Sequence, residues 1–140
     1  MAISSDNEYS PGKRFLLCLP SGGDLIPSIT KICREKRIVT AVFSVIGSVT
    51  SATVGVYDQK QQVFVTHLEK EATEILSCIG TVSQPNGSYR VKAKIILANQ
   101  NGQVTGGHLF SKTIVSEAEL DIQGLFRTQK EKMVRPQMLI

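Results

Sequence analysis

Tryptophan is absent from these 140 residues, histidine occurs twice, and aromatic residues make up 6% of the chain. A core built by this sequence therefore rests on Ile, Val and Leu, a composition that suits strands. Cysteine is sparse and unpatterned. Cys18, Cys33 and Cys78 are odd in number and follow no CxxC or other metal-ligand spacing, which argues against a disulfide framework or a cysteine metal cluster. Their apolar surroundings read as reduced, buried thiols, because reactive thiols need an exposed electropositive setting. No HExxH, GxSxG, GxGxxG or P-loop occurs, and no paired acids of the catalytic kind. An enzyme reading has little support, and no cofactor is expected. Apolar runs are short: Phe15 to Leu19 falls far below a signal-peptide core or a membrane span. The expectation is a soluble, cytoplasmic protein with no membrane partner.

Charge is modest and uneven. Sixteen bases against twelve acids leave +4, and the segment from Arg127 onward holds four bases and one acid, so residues 1–126 carry only +1. Such a tail offers sequence-independent phosphate contacts, although a solvated terminal segment is the commoner meaning. Residues 1–12 are polar and read as a flexible N-terminal segment, 13–126 as one domain, and 127–140 as a basic C-terminal tail. A domain of this length buries roughly two-thirds of its unfolded surface without disulfide or metal.

The chain alternates short elements. Lys13 to Pro20 is strand-like and ends at Ser21-Gly22-Gly23, a tight turn. Asp24 is a helix N-cap candidate, followed by Leu25, Ile29, Ile32 and Cys33 on one stripe, while Lys31, Arg34, Glu35 and Lys36 form a solvated face. Pro27 falls in the first turn, where it costs no intrahelical bond. Thr40 to Ile46, Thr50 to Tyr57 and Gln62 to Glu69 read as successive strands, the last carrying His67 as a strand or edge residue. Glu69 to Glu74 reads as a helical turn, and Ile75 to Ser83 is apolar again. Pro85-Asn86-Gly87-Ser88 is the strongest hairpin signal, since Asn-Gly accepts positive φ. After Tyr89 to Leu97 a second turn at Asn99 to Gly102 leads into Gly106-Gly107-His108-Leu109. In Thr113 to Ile122 the pattern sets Ile114, Ser116, Ala118, Leu120 and Ile122 on one face and Val115, Glu117, Glu119 and Asp121 on the other. One helix among hairpin-connected strands predicts an α+β domain, sandwich-like, with a mainly antiparallel sheet.

Paired glycines in an apolar, strand-like stretch mark a bulge or a close backbone approach, and here they precede one of the two histidines. Gly106-Gly107-His108-Leu109, together with Ser44-Val45-Ile46-Gly47-Ser48-Val49, Gly55-Val56-Tyr57-Asp58 and Glu74-Ile75-Leu76-Ser77-Cys78-Ile79-Gly80, closely resembles the plants-and-prokaryotes-conserved (PPC) domain family, in family order from Lys13 to Gln123. The resemblance is to the prokaryotic type without an AT-hook: of the plant hook Arg-Gly-Arg-Pro only Arg135-Pro136 is here. It implies a homotrimer with contacts at Gly106, Gly107, His108 and Leu109, and a DNA-binding or regulatory role through self-association and partner contacts.

Many prokaryotic members carry His-x-His where this chain has Lys92-Ala93-Lys94. Those histidines, with the one in Gly-Gly-His-Leu, look like a three-imidazole metal site, of which only His108 survives. A protonated lysine has no lone pair for a metal, so no metal is expected. Arg90, Lys92, Lys94 and Ile96 share one strand face. Lys92, Lys94 and His108 therefore form a candidate site for a small anionic ligand. The plainer alternative makes the lysines a solvated face and His108 a structural hydrogen-bonder.

Overall fold

The computed structural model describes residues 7–128. The order is β1 (Tyr9–Leu19), α1 (Leu25–Lys36), β2 (Ala41–Asp58), β3 (Val63–Glu69), β4 (Thr73–Ser83), β5 (Arg90–Ala98) and β6 (Val104–Arg127), with every strand pairing antiparallel. This is the α+β class with a mainly antiparallel sheet. Strand β1 starts at Tyr9, opposite Arg127. Residues 9–12 and Arg127 are therefore sheet, not the flexible segment and tail expected of them; the rest of the tail beyond Thr128 lies outside the described residues.

Two long strands organise the sheet. β2 and β6 pair along most of their length, from Ala41 opposite Gly124 to Gly55 opposite His108. β4 and β3 follow one another along the free edge of β2, and β1 and β5 along that of β6, while β4 pairs with β5 and closes the sheet on itself. The two strands expected on either side of Gly47-Ser48 are one strand, because this segment forms a bulge rather than a break. Gly47 sits at φ 133° with its Cα against the Glu117 carbonyl, where a Cβ has no room. Bulges bend a strand and re-aim its side chains, and here they let the two halves of β2 serve different neighbours.

The expected helical turn over Glu69–Glu74 is absent. Glu69 lies opposite Ala52 and Thr73 opposite Val49, so the chain must advance three strand residues, about 10 Å. A helix of four residues rises only about 6 Å; an extended step is required. The alternation in β6 also departs from expectation. Val115 is buried with Thr113, while Leu120, Ile122 and Gly124 are buried further on, because one extra β6 residue is taken up between the pairs Ser48–Glu117 and Val49–Val115. A one-residue slip moves every following side chain to the other face.

Helix α1 packs its Leu25, Ile29 and Cys33 against the inner face, in one core with Phe43, Val45, Val82, Ile95, Leu97, Leu120 and Ile122. Ile32 of the predicted stripe is half-buried. Asp24 holds the N-cap position, but its carboxylate caps no helical N–H. It accepts instead from the backbone N–H groups of Lys112 at 2.8 Å and Thr113 at 3.2 Å, tying the helix start to β6 where Lys112 adopts φ 70°. Both turns follow the glycines, Gly87 at φ 83° and Gly102 at φ 78°.

Candidate functional site

The outer face of the sheet, opposite α1, carries the predicted residues. Along β5, Arg90, Lys92, Lys94 and Ile96 are exposed while Ala93, Ile95 and Leu97 are buried, as the alternation requires. Lys94 is the direct cross-strand partner of His108, and Lys92 follows two residues away on the same face, so the three side chains project into one region. They line a groove of about 710 Å³ shared with Arg14, Val42, Ser44, Ile79, Thr81, Asp121 and Gln123.

Among the described residues Lys92 and Lys94 make no ion pair, leaving both ammonium charges uncompensated in the groove. The His108 imidazole is placed by packing: its ring meets Phe64 edge-on, with centroids 4.7 Å apart, and Phe64 in turn contacts Tyr57 and Phe110. The groove's other margin is an ion pair that sequence reasoning missed. Arg14 donates two hydrogen bonds to Asp121, Nε to Oδ1 at 2.9 Å and Nη2 to Oδ2 at 2.7 Å. This hydrogen bonding holds the Asp121 carboxyl below its ordinary value and raises the Arg14 guanidinium. With the partners 107 positions apart in the chain, no local signal announces the pair. Gln123 donates to the Gly12 carbonyl at 2.7 Å, fastening β1 beside it.

The glycine pair is accounted for inside the chain. A Cβ on Gly106 meets the Ile95 carbonyl oxygen at 2.6 Å, and one on Gly107 meets the Gly55 carbonyl oxygen at 2.5 Å. Gly107 thus lets β6 approach β2 closely, and Leu109, expected at an interface, belongs to the core. Of the thiols, Cys33 and Cys78 are buried, and desolvation pushes them up to about 11 and about 12. Cys18 is exposed, contrary to expectation, because it alternates with Leu17 and Leu19 onto the outer face. His67 lies on β3, opposite Val54, away from the groove.

The groove's donor set does not suit a metal ion. Only His108 brings an imidazole lone pair to it; the two ammonium groups have none and repel a dication. Among the described residues no group of three or more His, Cys, Asp or Glu is placed to hold a metal.

An antiparallel sheet organised by two bulged central strands, one helix packed on its inner face, and a basic groove on its outer face define a small α+β domain. The Plants and Prokaryotes Conserved (PCC) domain matches residues 6–125, and the chain belongs to this family. A plant- and prokaryote-conserved (PPC) protein of Pyrococcus horikoshii superposes with TM-score 0.83 at 30% identity, over 88% of this chain and 85% of that one. A metal-containing protein of Archaeoglobus fulgidus gives TM-score 0.83 at 37% identity, over 89% and 87%. A candidate DNA-binding protein of Bacteroides thetaiotaomicron, at 21% identity and TM-score 0.73 over 84% of each chain, shares the fold. No curated protein matches by sequence. No helix among the described residues is long and apolar enough to cross a membrane.

Proposed function

We propose that this chain works as a homotrimeric, DNA-binding regulatory module whose copies associate through the outer sheet face. The observation that carries the reading is that face itself: Leu16, Val42, Ile46, Leu76, Ile79 and Ile96 are each between 44% and 69% exposed. Monomeric proteins rarely leave contiguous apolar patches of that kind uncovered. Its two ends differ in charge, with Glu74, Glu117 and Glu119 lining a hollow at one and Lys92 and Lys94 at the other, where Arg14 is neutralised by Asp121. Such a face suits head-to-tail contacts that close into a ring, acidic end against basic end. The DNA-binding part of the reading is supported by the likeness to the candidate DNA-binding protein of Bacteroides thetaiotaomicron and by the exposed bases Lys13, Arg34, Lys36 and Arg37. Light scattering at micromolar concentration tests the assembly: the wild type should be a trimer, and Ile79→Lys should yield folded monomers with an unchanged circular dichroism spectrum. A monomeric wild type overturns the proposal.

The groove supports a second reading, a site for a small anionic ligand at Lys92, Lys94 and His108. Its volume falls in the range of small-molecule sites, and its two unpaired ammonium groups supply the charge. Association across the outer face would enclose it between copies. The side chains in the groove do not fit a metal such as the Archaeoglobus relative contains.

A further inference from the structure

The face opposite the groove carries a second cationic surface, which local periodicity does not distinguish from an ordinary solvated helix face. Helix α1 and the residue after it bring Lys31, Arg34, Lys36 and Arg37 together with one acid, Glu35, and that acid lies 4.0 Å from Lys31. Arg34, Lys36 and Arg37, joined by Lys13 from β1, are exposed and make no ion pair among the described residues. They line two adjacent clefts. One, of about 280 Å³, lies between β1 and the helix end and is bordered by Lys13, Phe15, Lys36 and Arg37. The other, of about 570 Å³, runs to the β4–β5 loop and is bordered by Arg34, Arg37, Ser88 and Tyr89. Arg37 belongs to both, and no acidic side chain lines either.

Two features show that the cations are positioned. The Lys36 ammonium stands 4.2 Å from the Phe15 ring centroid, and the Arg34 guanidinium 5.7 Å from that of Tyr89. The Tyr89 hydroxyl donates to the Ile38 carbonyl at 2.6 Å, which anchors its ring. Arg37 occupies the left-handed C-cap position, φ 59° and ψ 38°, where glycine is the usual residue. A long cationic side chain thus sits at a backbone position that disfavours any side chain.

We infer that Lys13, Arg34, Lys36 and Arg37 form a docking surface for the phosphate backbone of duplex DNA. The inference rests on the DNA-binding reading above and names the surface for it. Phe15 and Tyr89 each face a cation, so they order charge rather than serve mainly as rings on which unpaired bases stack. Four exposed cations without a base-reading helix contact phosphates and ignore sequence. Because α1 lies on the face opposite the proposed assembly contact, a ring of copies would present this surface outward.

The test uses the full chain and fluorescence anisotropy with a labelled mixed-sequence duplex and its single strand, from about 50 to about 200 mM salt. The triple change Arg34→Gln, Lys36→Gln, Arg37→Gly should weaken duplex binding and flatten the slope of log affinity against log salt. The flattening should be about 0.9 for each phosphate that an engaged chain no longer neutralises. Arg37→Gly alone should also weaken binding, while its thermal midpoint stays at or above that of the wild type. Removal of residues 129–140 should leave duplex binding intact. If the wild type binds duplex but the triple change leaves affinity and slope untouched, this surface is wrong and the DNA-binding reading stands. Loss of binding through the truncation overturns the surface in the same way, and tighter binding of the single strand overturns a duplex docking role. No duplex binding by the wild type at low salt ends the DNA-binding reading itself.

Discussion

Gly107→Val is the substitution that separates what the glycine pair does within one chain from what it does between chains. If the pair served a subunit contact, as the family resemblance implies, a branched side chain here would weaken assembly before folding. The geometry predicts the opposite order. A Cβ at Gly107 would lie 2.5 Å from the Gly55 carbonyl oxygen and 3.1 Å from its carbon, and both atoms are backbone in a paired strand. No flexible side chain can move aside, so β2 and β6 must separate locally where Gly55 faces His108. Overpacking of this kind costs about 1–3 kcal/mol, and backbone on the opposing side places the expected loss near the top, about 3 kcal/mol. With a urea dependence of roughly 1.5 kcal/mol per molar, the unfolding midpoint should fall by about 2 M. The comparison needs equal protein concentrations, because association adds to apparent stability. Circular dichroism follows the unfolding and light scattering follows the mass. A variant that unfolds at the wild-type urea concentration yet no longer assembles would refute the reasoning and return the glycines to a subunit contact.

The double change Lys92→His, Lys94→His should create tight zinc binding, since the cross-strand pair of positions 94 and 108 with position 92 beside them would set three imidazoles around one point and leave coordination open to water. The wild type should bind zinc no better than an ordinary surface histidine, and the variant should lose affinity for inorganic phosphate because two fixed charges become mostly neutral at pH 7. Calorimetry with zinc and with phosphate reads both, and stoichiometric high-affinity zinc in the wild type would sink the groove assignment. The Arg14–Asp121 pair predicts a pH effect of definite sign. Asp121 has its folded pKa lowered from 3.8, so the pair's stabilisation is present above that value and is lost as pH falls through the lower folded one. Urea midpoints of the wild type and Asp121→Asn should differ at neutral pH and converge in strong acid; a gap that persists there contradicts this account of the pair.

The features legible in the sequence are those governed by neighbours a few residues apart. The α1 stripe of Leu25, Ile29 and Cys33, the exposed face of Arg90, Lys92 and Lys94, and the positive φ of Gly87 and Gly102 all appear where local period and turn chemistry place them. Local chemistry suffices there because a helix or strand fixes which side chains share a face, and glycine alone enters left-handed backbone without penalty. Tertiary structure decided the rest. Whether Gly47 breaks a strand or bends it depends on Glu117, which lies on another strand, and the slip that buries Val115 depends on how β6 meets Ser48 and Val49. Arg14 and Asp121 meet only because β1 pairs with β6, and Arg37 joins Lys13 only because the helix end lies beside β1. Bulges, register and long-range charge pairs are properties of two segments at once, and neither segment's residues specify them alone.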